Sequence, residues 1–499
     1  MAELKIHTTE SEFVSDLASE SSYVHASMSN SKGLDAVDVY RALAGRDAPS
    51  FIFDSVSPEA DAGRFAFVCI DVDKIVCTNR DENPIPRLRE LLSKRPNLRA
   101  DSQLPGHVTG VFGYLAYEAS QHFEPSVGEL MEDPTGSPSA AYLAPRQLLV
   151  LDRETSTIHF LAFSDSIYEF DSKVEVIRDA ATKLESVRRI AVVQIPEIDV
   201  EQVTPVFNGH FQQMVDRARK AIIEGELIQV VLGQRVEHKT RATAIDIYEN
   251  LSRLNPSPYM YMVDIGDRQL IGASPELMLR AKNGTASIHP IAGTRPRGET
   301  AEEDLKYEAD LISNEKESAE HVMLVDLARN DLGRVSKPGT VKVSSLKHIE
   351  RYSHVMHLVS RVEGELADDL DGIDALTAGF PIGTLSGAPK IRSIQLISEL
   401  EPEGRGPYCG AIGWFGANGD VDTGTIIRSV VLHDGVAHVQ GGAGIVFDST
   451  PETEHRESLQ KTKAPLKAIA LAELDRERYW RSSDESEIES NPLAAKASN

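Results

Sequence analysis

Apolar residues in the first half of the chain come in short runs bounded by turn-rich stretches, such as FIF at 51–53, RFAFV at 64–68 and QLLVL at 147–151. Runs of this kind predict strands, and 147–151 followed across a polar turn by IHFLA at 158–162 predicts a hairpin. The spacing over 171–187 is helical. Between 193 and 209, Pro196 and Pro205 lie among acidic and polar residues, which predicts a linker and places the domain boundary there. A clear helical period returns with Phe211, Met214, Val215, Ala218, Ala221 and Ile222, with Asn208 near its start and Gly225 near its end. Strand-like runs follow at 227–236, 259–264 and 269–271, then two longer helical patterns at 301–329 and 388–400. The mixture predicts an α/β (α+β) fold rich in sheet. The Ser-rich stretch 481–499 has too few apolar residues to offset the entropy of ordering it, so disorder is expected there.

Composition narrows the classes. With 499 residues, 41% of them hydrophobic, the chain can bury a sizeable core in two or three domains. Lys and Arg total 52 against 77 Asp and Glu, a net charge of −25, and no basic run offers a track for phosphates, so nucleic acid is not an expected partner. No stretch approaches the roughly 18 uninterrupted apolar residues of a membrane span. The opening residues carry no apolar signal core, and a cytoplasmic location is expected. Cys69, Cys77 and Cys409 form no CxxC pair and read as reduced thiols. The GK[ST] phosphate loop, the HExxH pair and the GxSxG elbow do not occur.

Candidate chemistry begins with two glutamate pairs, Glu317 with Glu320 and Glu454 with Glu457. Each pair is three residues apart, so on a helix both carboxylates share a face. Two such faces brought together would offer hard oxygen ligands suited to Mg²⁺, whereas either pair alone is ordinary solvated surface. Glycine-rich QGGAG at 440–444 and GTLSGAPK at 383–390 could bring backbone N–H groups close to an anion, or be plain tight turns. Thr384 and Ser386 add hydroxyls to the second stretch. Arg428 and Lys461 could grip carboxylates or form surface ion pairs of small value. His357, in an alternating strand pattern, could move protons near neutrality or serve as a core histidine. Glu276 in ASPELML is a candidate acid where burial raises its pKa, and otherwise a turn residue.

The strings PIAGTRPRG (290–298), EHVMLVDLARNDLGRV (320–335), ERYSHVMHLVSRVEGEL (350–366), FPIGTLSGAPKIRS (380–393), RGPYCGAIGW (405–414) and GGAGIV (441–446) together resemble the chorismate-binding enzymes. Within that family they are most similar to anthranilate synthase large subunits, over roughly 211–470. The resemblance implies a two-domain fold with large, mainly antiparallel sheets sandwiched by helices. With the linker and the polar tail read above, this gives an N-terminal regulatory domain at 1–195, a catalytic domain at 196–475 and a disordered acidic tail at 476–499. It also implies a Mg²⁺-dependent reaction in which ammonia attacks C2 of chorismate, the C4 hydroxyl leaves, and loss of pyruvate gives anthranilate. By motif, Glu320 and Glu457 would ligate the metal, and Glu317 and Glu454 would hold its waters. Glu276 would be the acid for the C4 hydroxyl and His357 the imidazole of the elimination step, with Thr384 beside it. Tyr408, Arg428 and the backbone of Gly442, Ala443 and Gly444 would hold the enolpyruvyl carboxylate, with Lys461, Gly293 and Thr294 completing the pocket.

Two positions bear on the subtype. Relatives that add water have a lysine base matching Gln229, and those of the aminodeoxychorismate branch a nucleophilic lysine matching Ala292; neither residue here can do that work. The resemblance therefore implies ammonia at C2, with full anthranilate formation or a halt at 2-amino-2-deoxyisochorismate both open, and an inactive scaffold subunit as the competitor from another class. The family's tryptophan-binding string is altered here to FIFDS with Ser55 retained, while its other half is similar in NPSPYM, giving Ser55, Pro258, Tyr259 and Met260 as the expected inhibitor contacts. No cysteine sits in a glycine elbow of the amidotransferase kind, so ammonia is expected from a glutamine amidotransferase subunit in a hetero-oligomer.

Overall fold

The computed structural model describes residues 3–16, 21–45, 49–56, 63–99, 102, 104–187, 205–351 and 355–475. The expected tail and most of the expected linker lie outside them. Every strand pairing among the described residues is antiparallel. The expected hairpin is present as Ala140–Asp152 paired with Thr157–Ser164.

Two ladders diverge from the long strand Ala140–Asp152. One runs through Phe65–Thr78 and Ser50–Asp54 to Tyr259–Asp264, Arg268–Ser274, Ser429–His433, Val436–Ile445 and Gln229–Lys239. The other runs through Val111–Leu115 to Ala411–Phe415, Val421–Thr425, Leu277–Lys282, Thr285–Ile288 and Val355–Glu365. Strands from both halves of the sequence thus share one hydrogen-bonded system. Its faces are covered by helices, and the apolar clusters between mix the halves too, as where Phe13, Val24 and Ile52 share a cluster with Ile247, Leu251 and Ile469.

The helices follow the sequence periods with two differences. The pattern over 301–329 is two helices, Ala301–Ser313 and Glu315–Gly333, because the Asn314 side chain accepts the Glu317 N–H at 3.0 Å and so ends one helix while capping the next. The pattern over 388–400 starts later, at Lys390–Leu400, since Ala388 pairs with Gln229 and Pro389 occupies the cap. The amphipathic helix His210–Ile223 begins after Gly209, whose φ of 79° only glycine takes up without strain. No helix among the described residues is long and apolar enough to cross a membrane.

Candidate functional site

Glu276 lies between the strands Arg268–Ser274 and Leu277–Lys282, with its backbone carbonyl accepting the Thr425 N–H at 2.9 Å. Its carboxyl is buried, and that burial pushes its pKa up to about 7. Two groups act against burial: the Thr384 hydroxyl donates to Oε1 at 2.6 Å, and the Lys461 ammonium is near enough to favour the anion. An acid half-protonated near neutrality, fixed by one hydroxyl, is suited to giving a proton to a leaving oxygen. Thr384 comes from the short helix Gly383–Ser386, seated closely on the helix Glu315–Gly333; a Cβ at Gly383 would lie 2.0 Å from Leu327 Cδ2.

His357 sits on Val355–Glu365 opposite Thr294 of Ile291–Pro296. The register slips between Ala292 and Thr294, leaving Gly293 at a φ of 68° with its carbonyl turned to the imidazole. His357 Nδ1 donates to Gly293 O at 3.1 Å and lies 3.0 Å from Thr294 Oγ1, which puts the basic lone pair on Nε2. Burial holds the imidazole below its usual pKa, so it is neutral near pH 7. The hydroxyl paired with His357 is therefore that of Thr294. Thr384, expected beside the imidazole, spends its own on Glu276.

Arg428 adopts a φ of 52°, a strained value for a residue with a side chain. Its Nη1 donates to Lys461 O at 3.3 Å, and among the described residues no carboxylate pairs with it. Burial depresses its pKa while the Tyr408 phenol and Glu457 oppose that. A half-buried guanidinium with an unfilled fork is a carboxylate receptor by its chemistry. The strand Val436–Ile445 supplies the neighbouring backbone: a Cβ at Gly442 would fall 3.0 Å from the Tyr408 hydroxyl, and one at Gly444 2.6 Å from Gln229 Nε2. Ala443 between them is buried. Lys461 Nζ donates to Gly442 O and to Glu457 Oε1, both at 2.8 Å, tying this strand to the helix Pro451–Gln460.

Glu317 and Glu320 lie on Glu315–Gly333, and Glu454 and Glu457 on Pro451–Gln460. The two faces feel each other. Burial raises the pKa of Glu320, with Glu317, Glu454 and Glu457 adding to it, and burial with Glu457 raises that of Glu454. Among the described residues no three such groups converge into a ready-made metal site. Glu317 is turned to Arg295 at 3.2 Å and Glu457 to Lys461 at 2.8 Å. Mutually opposed, partly buried carboxylates from two helices fit a hard divalent cation, which would relieve that repulsion.

Ser55 and the 258–260 segment also come together, because Asp54 pairs with Met260 across the strands Ser50–Asp54 and Tyr259–Asp264. Ser55 Oγ is buried and has no hydrogen-bond partner among the described residues. Pro258 is half-buried, and the Tyr259 hydroxyl is committed to Asp422 at 2.7 Å. Sequence reading missed the buried pair of Lys390 with Asp331 (2.7 Å) and that of Arg405 with Glu401 (2.6 Å): the first joins residues 59 apart, and in the second Glu401 caps the helix Lys390–Leu400 in an extended conformation while Arg405 lies in the loop beyond, so neither has a helical spacing to read.

Comparison with known proteins gives a consistent picture. A family model described as chorismate binding enzyme matches residues 49–467. The chain is 42% identical over 448 residues to anthranilate synthase component 1 of Streptomyces coelicolor, covering 88% of this chain and 87% of that protein. It is 38% identical over 463 residues to the protein of that name from Aquifex aeolicus, covering 88% and 93%. The crystal structure of anthranilate synthase component I from Streptococcus pneumoniae superposes with a TM-score of 0.71 at 34% identity, covering 88% of this chain and 98% of that one. The menaquinone-specific isochorismate synthase of Escherichia coli shares the fold, with a TM-score of 0.68 at 20% identity over 90% of this chain and 94% of that one.

Proposed function

Since the chain belongs to the chorismate-binding enzyme family, we propose that it performs the reaction of anthranilate synthase component 1, turning chorismate and ammonia into anthranilate and pyruvate. The observation that carries the reading is the likeness to proteins of that name over 88% of the chain, with Glu276 and His357 each set for a separate proton transfer.

Glu276 gives its proton to the departing C4 hydroxyl, and Thr384 holds the carboxyl in place for it. Gln229 has a buried Oε1 with no partner among the described residues, an acceptor matched to the N–H bonds of incoming ammonia. An amide cannot take a proton from water, which disfavours hydroxide transfer. The neutral His357, with Nδ1 committed to Gly293 O, offers Nε2 for the ring proton lost in the elimination. Arg428, Tyr408 and the 442–444 backbone hold the enolpyruvyl carboxylate, and Lys461 adds positive charge beside it. Glu320 and Glu457, with Glu317 and Glu454 holding waters, would bind Mg²⁺, which neutralises the ring carboxylate.

Ammonia comes from a glutamine amidotransferase subunit in a hetero-oligomer, and the cytoplasm is the setting of this biosynthetic step. Tryptophan binds at Ser55 and 258–260 and inhibits; the buried, unpartnered Ser55 hydroxyl supports that site. Loss of turnover on titration with tryptophan tests it, and unchanged turnover up to millimolar concentration rejects it.

The reaction itself is tested with chorismate, Mg²⁺ and excess ammonium, following anthranilate fluorescence and pyruvate together. Both products in equal amounts are expected. Isochorismate, or aminodeoxyisochorismate without pyruvate, would overturn the reading.

A further inference from the structure

The Arg405 side chain is 2% exposed and hydrogen-bonds to no group assigned to chorismate, yet it binds two of the segments that shape the pocket and lies on a third. Its guanidinium donates from Nε to Glu401 Oε2 at 2.9 Å and from Nη2 to Glu401 Oε1 at 2.6 Å. Nη2 also reaches Val231 O at 2.7 Å, and Nη1 reaches Leu385 O at 2.9 Å. Leu385 is next to Thr384, Val231 is two residues from Gln229 on the same strand, and Tyr408 is three residues beyond Arg405. Glu401 Oε1 accepts the Gly233 N–H at 2.7 Å, and Tyr117 lies under the guanidinium at 4.7 Å. From the first half of the chain, Glu118 Oε1 takes the N–H groups of Arg405 and Gly406 at 2.7 and 3.1 Å.

A buried ion pair gives little net stability over a well-packed apolar pair. What a guanidinium offers is direction: a rigid planar fork that fixes several acceptors at once, which a lysine cannot reproduce. We infer that Arg405 is a positioning residue for the acid pair, holding the Leu385 carbonyl so that the adjacent Thr384 hydroxyl stays on Glu276. This rests on the reading of Glu276 as the proton donor. The groups facing that carboxyl are Thr384, the Lys461 ammonium and the Cys409 thiol; Arg405 reaches Thr384 through the hydrogen bond to the adjacent Leu385 carbonyl and Cys409 through charge alone.

The test is the pH dependence of kcat at saturating chorismate and constant un-ionised ammonia, for wild type, Thr384→Val, Arg405→Lys and the double variant. Losing a hydrogen bond to the charged carboxylate moves the alkaline limb up by about one pH unit in Thr384→Val. Arg405→Lys moves it in the same direction, and the double variant matches Thr384→Val because both remove one contact. A purely structural role lowers the melting temperature and the active fraction and leaves the limb in place. If Arg405→Lys does not fold, Glu401→Gln, which removes the charge seating the guanidinium, gives the same comparison. A limb that moves in Thr384→Val but stays in the Arg405 or Glu401 variant overturns the positioning role alone. A limb unmoved in Thr384→Val overturns the acid-pair reading and the positioning role with it.

Discussion

Single side chains set the chemistry through their surroundings. Glu276 is an ordinary glutamate in sequence and becomes an acid with a pKa pushed up to about 7 because burial outweighs the opposing Thr384 hydroxyl and Lys461 ammonium. As an acid it works while protonated, so kcat at constant un-ionised ammonia is expected to fall as pH rises through about 7. Glu276→Gln is expected to lose about 10²- to 10⁴-fold in kcat, measured by anthranilate fluorescence. Arg428→Lys keeps the charge and loses the fork, so KM for chorismate rises about tenfold or more with a smaller change in kcat. Individually these residues were barely legible: Glu276, His357, Arg428 and each glutamate pair fit an ordinary turn, core or surface role in the sequence as well as a catalytic one. Their roles came from the string resemblance, and their geometry only from the fold. The partner of His357 shows why, since the Thr294 contact depends on a register slip that spacing does not encode.

Helices were legible where their period was clean, as in His210–Ile223, and their breaks were not. Asn314 joins two helices that read as one, and its cap aims the start of the helix that carries Glu317 and Glu320. Asn314→Ala is expected to cost about 1 kcal/mol in denaturant unfolding. At the other end of that helix, Asp331 is buried and takes the Lys390 ammonium, which also donates to Gly379 O at 2.7 Å. The contact ties the helix that carries Glu317 and Glu320 to the one that follows the Thr384 segment. Removing one partner strands a buried charge, so Asp331→Asn should destabilise by about 3–5 kcal/mol, read from thermal or denaturant melting.

Across the whole molecule the two halves of the sequence are interleaved. A boundary drawn by composition marks a change in the chain, and the ladders cross it at Ser50–Asp54 with Tyr259–Asp264 and at Val111–Leu115 with Ala411–Phe415. A fragment from 205 onward would expose both edges. Expressed alone it should aggregate or lack a cooperative melt, and co-expression with 1–204 should restore one; a soluble fragment with a sharp transition of its own would refute this. This crossing was invisible in the sequence because antiparallel pairing between strands hundreds of residues apart has no local signature.

The same crossing sets a timetable for synthesis. Leu115 leaves the ribosome 296 residues before its partner Ala411. At about 5–20 residues per second that is a wait of roughly 15–60 s. During that time an apolar strand, paired on one side to Ala140–Asp152, keeps its other edge open to any passing chain. The nascent protein therefore has a long interval of sticky half-assembly, and how much of it survives in a cell depends on chaperone capacity as much as on the stability of the finished fold.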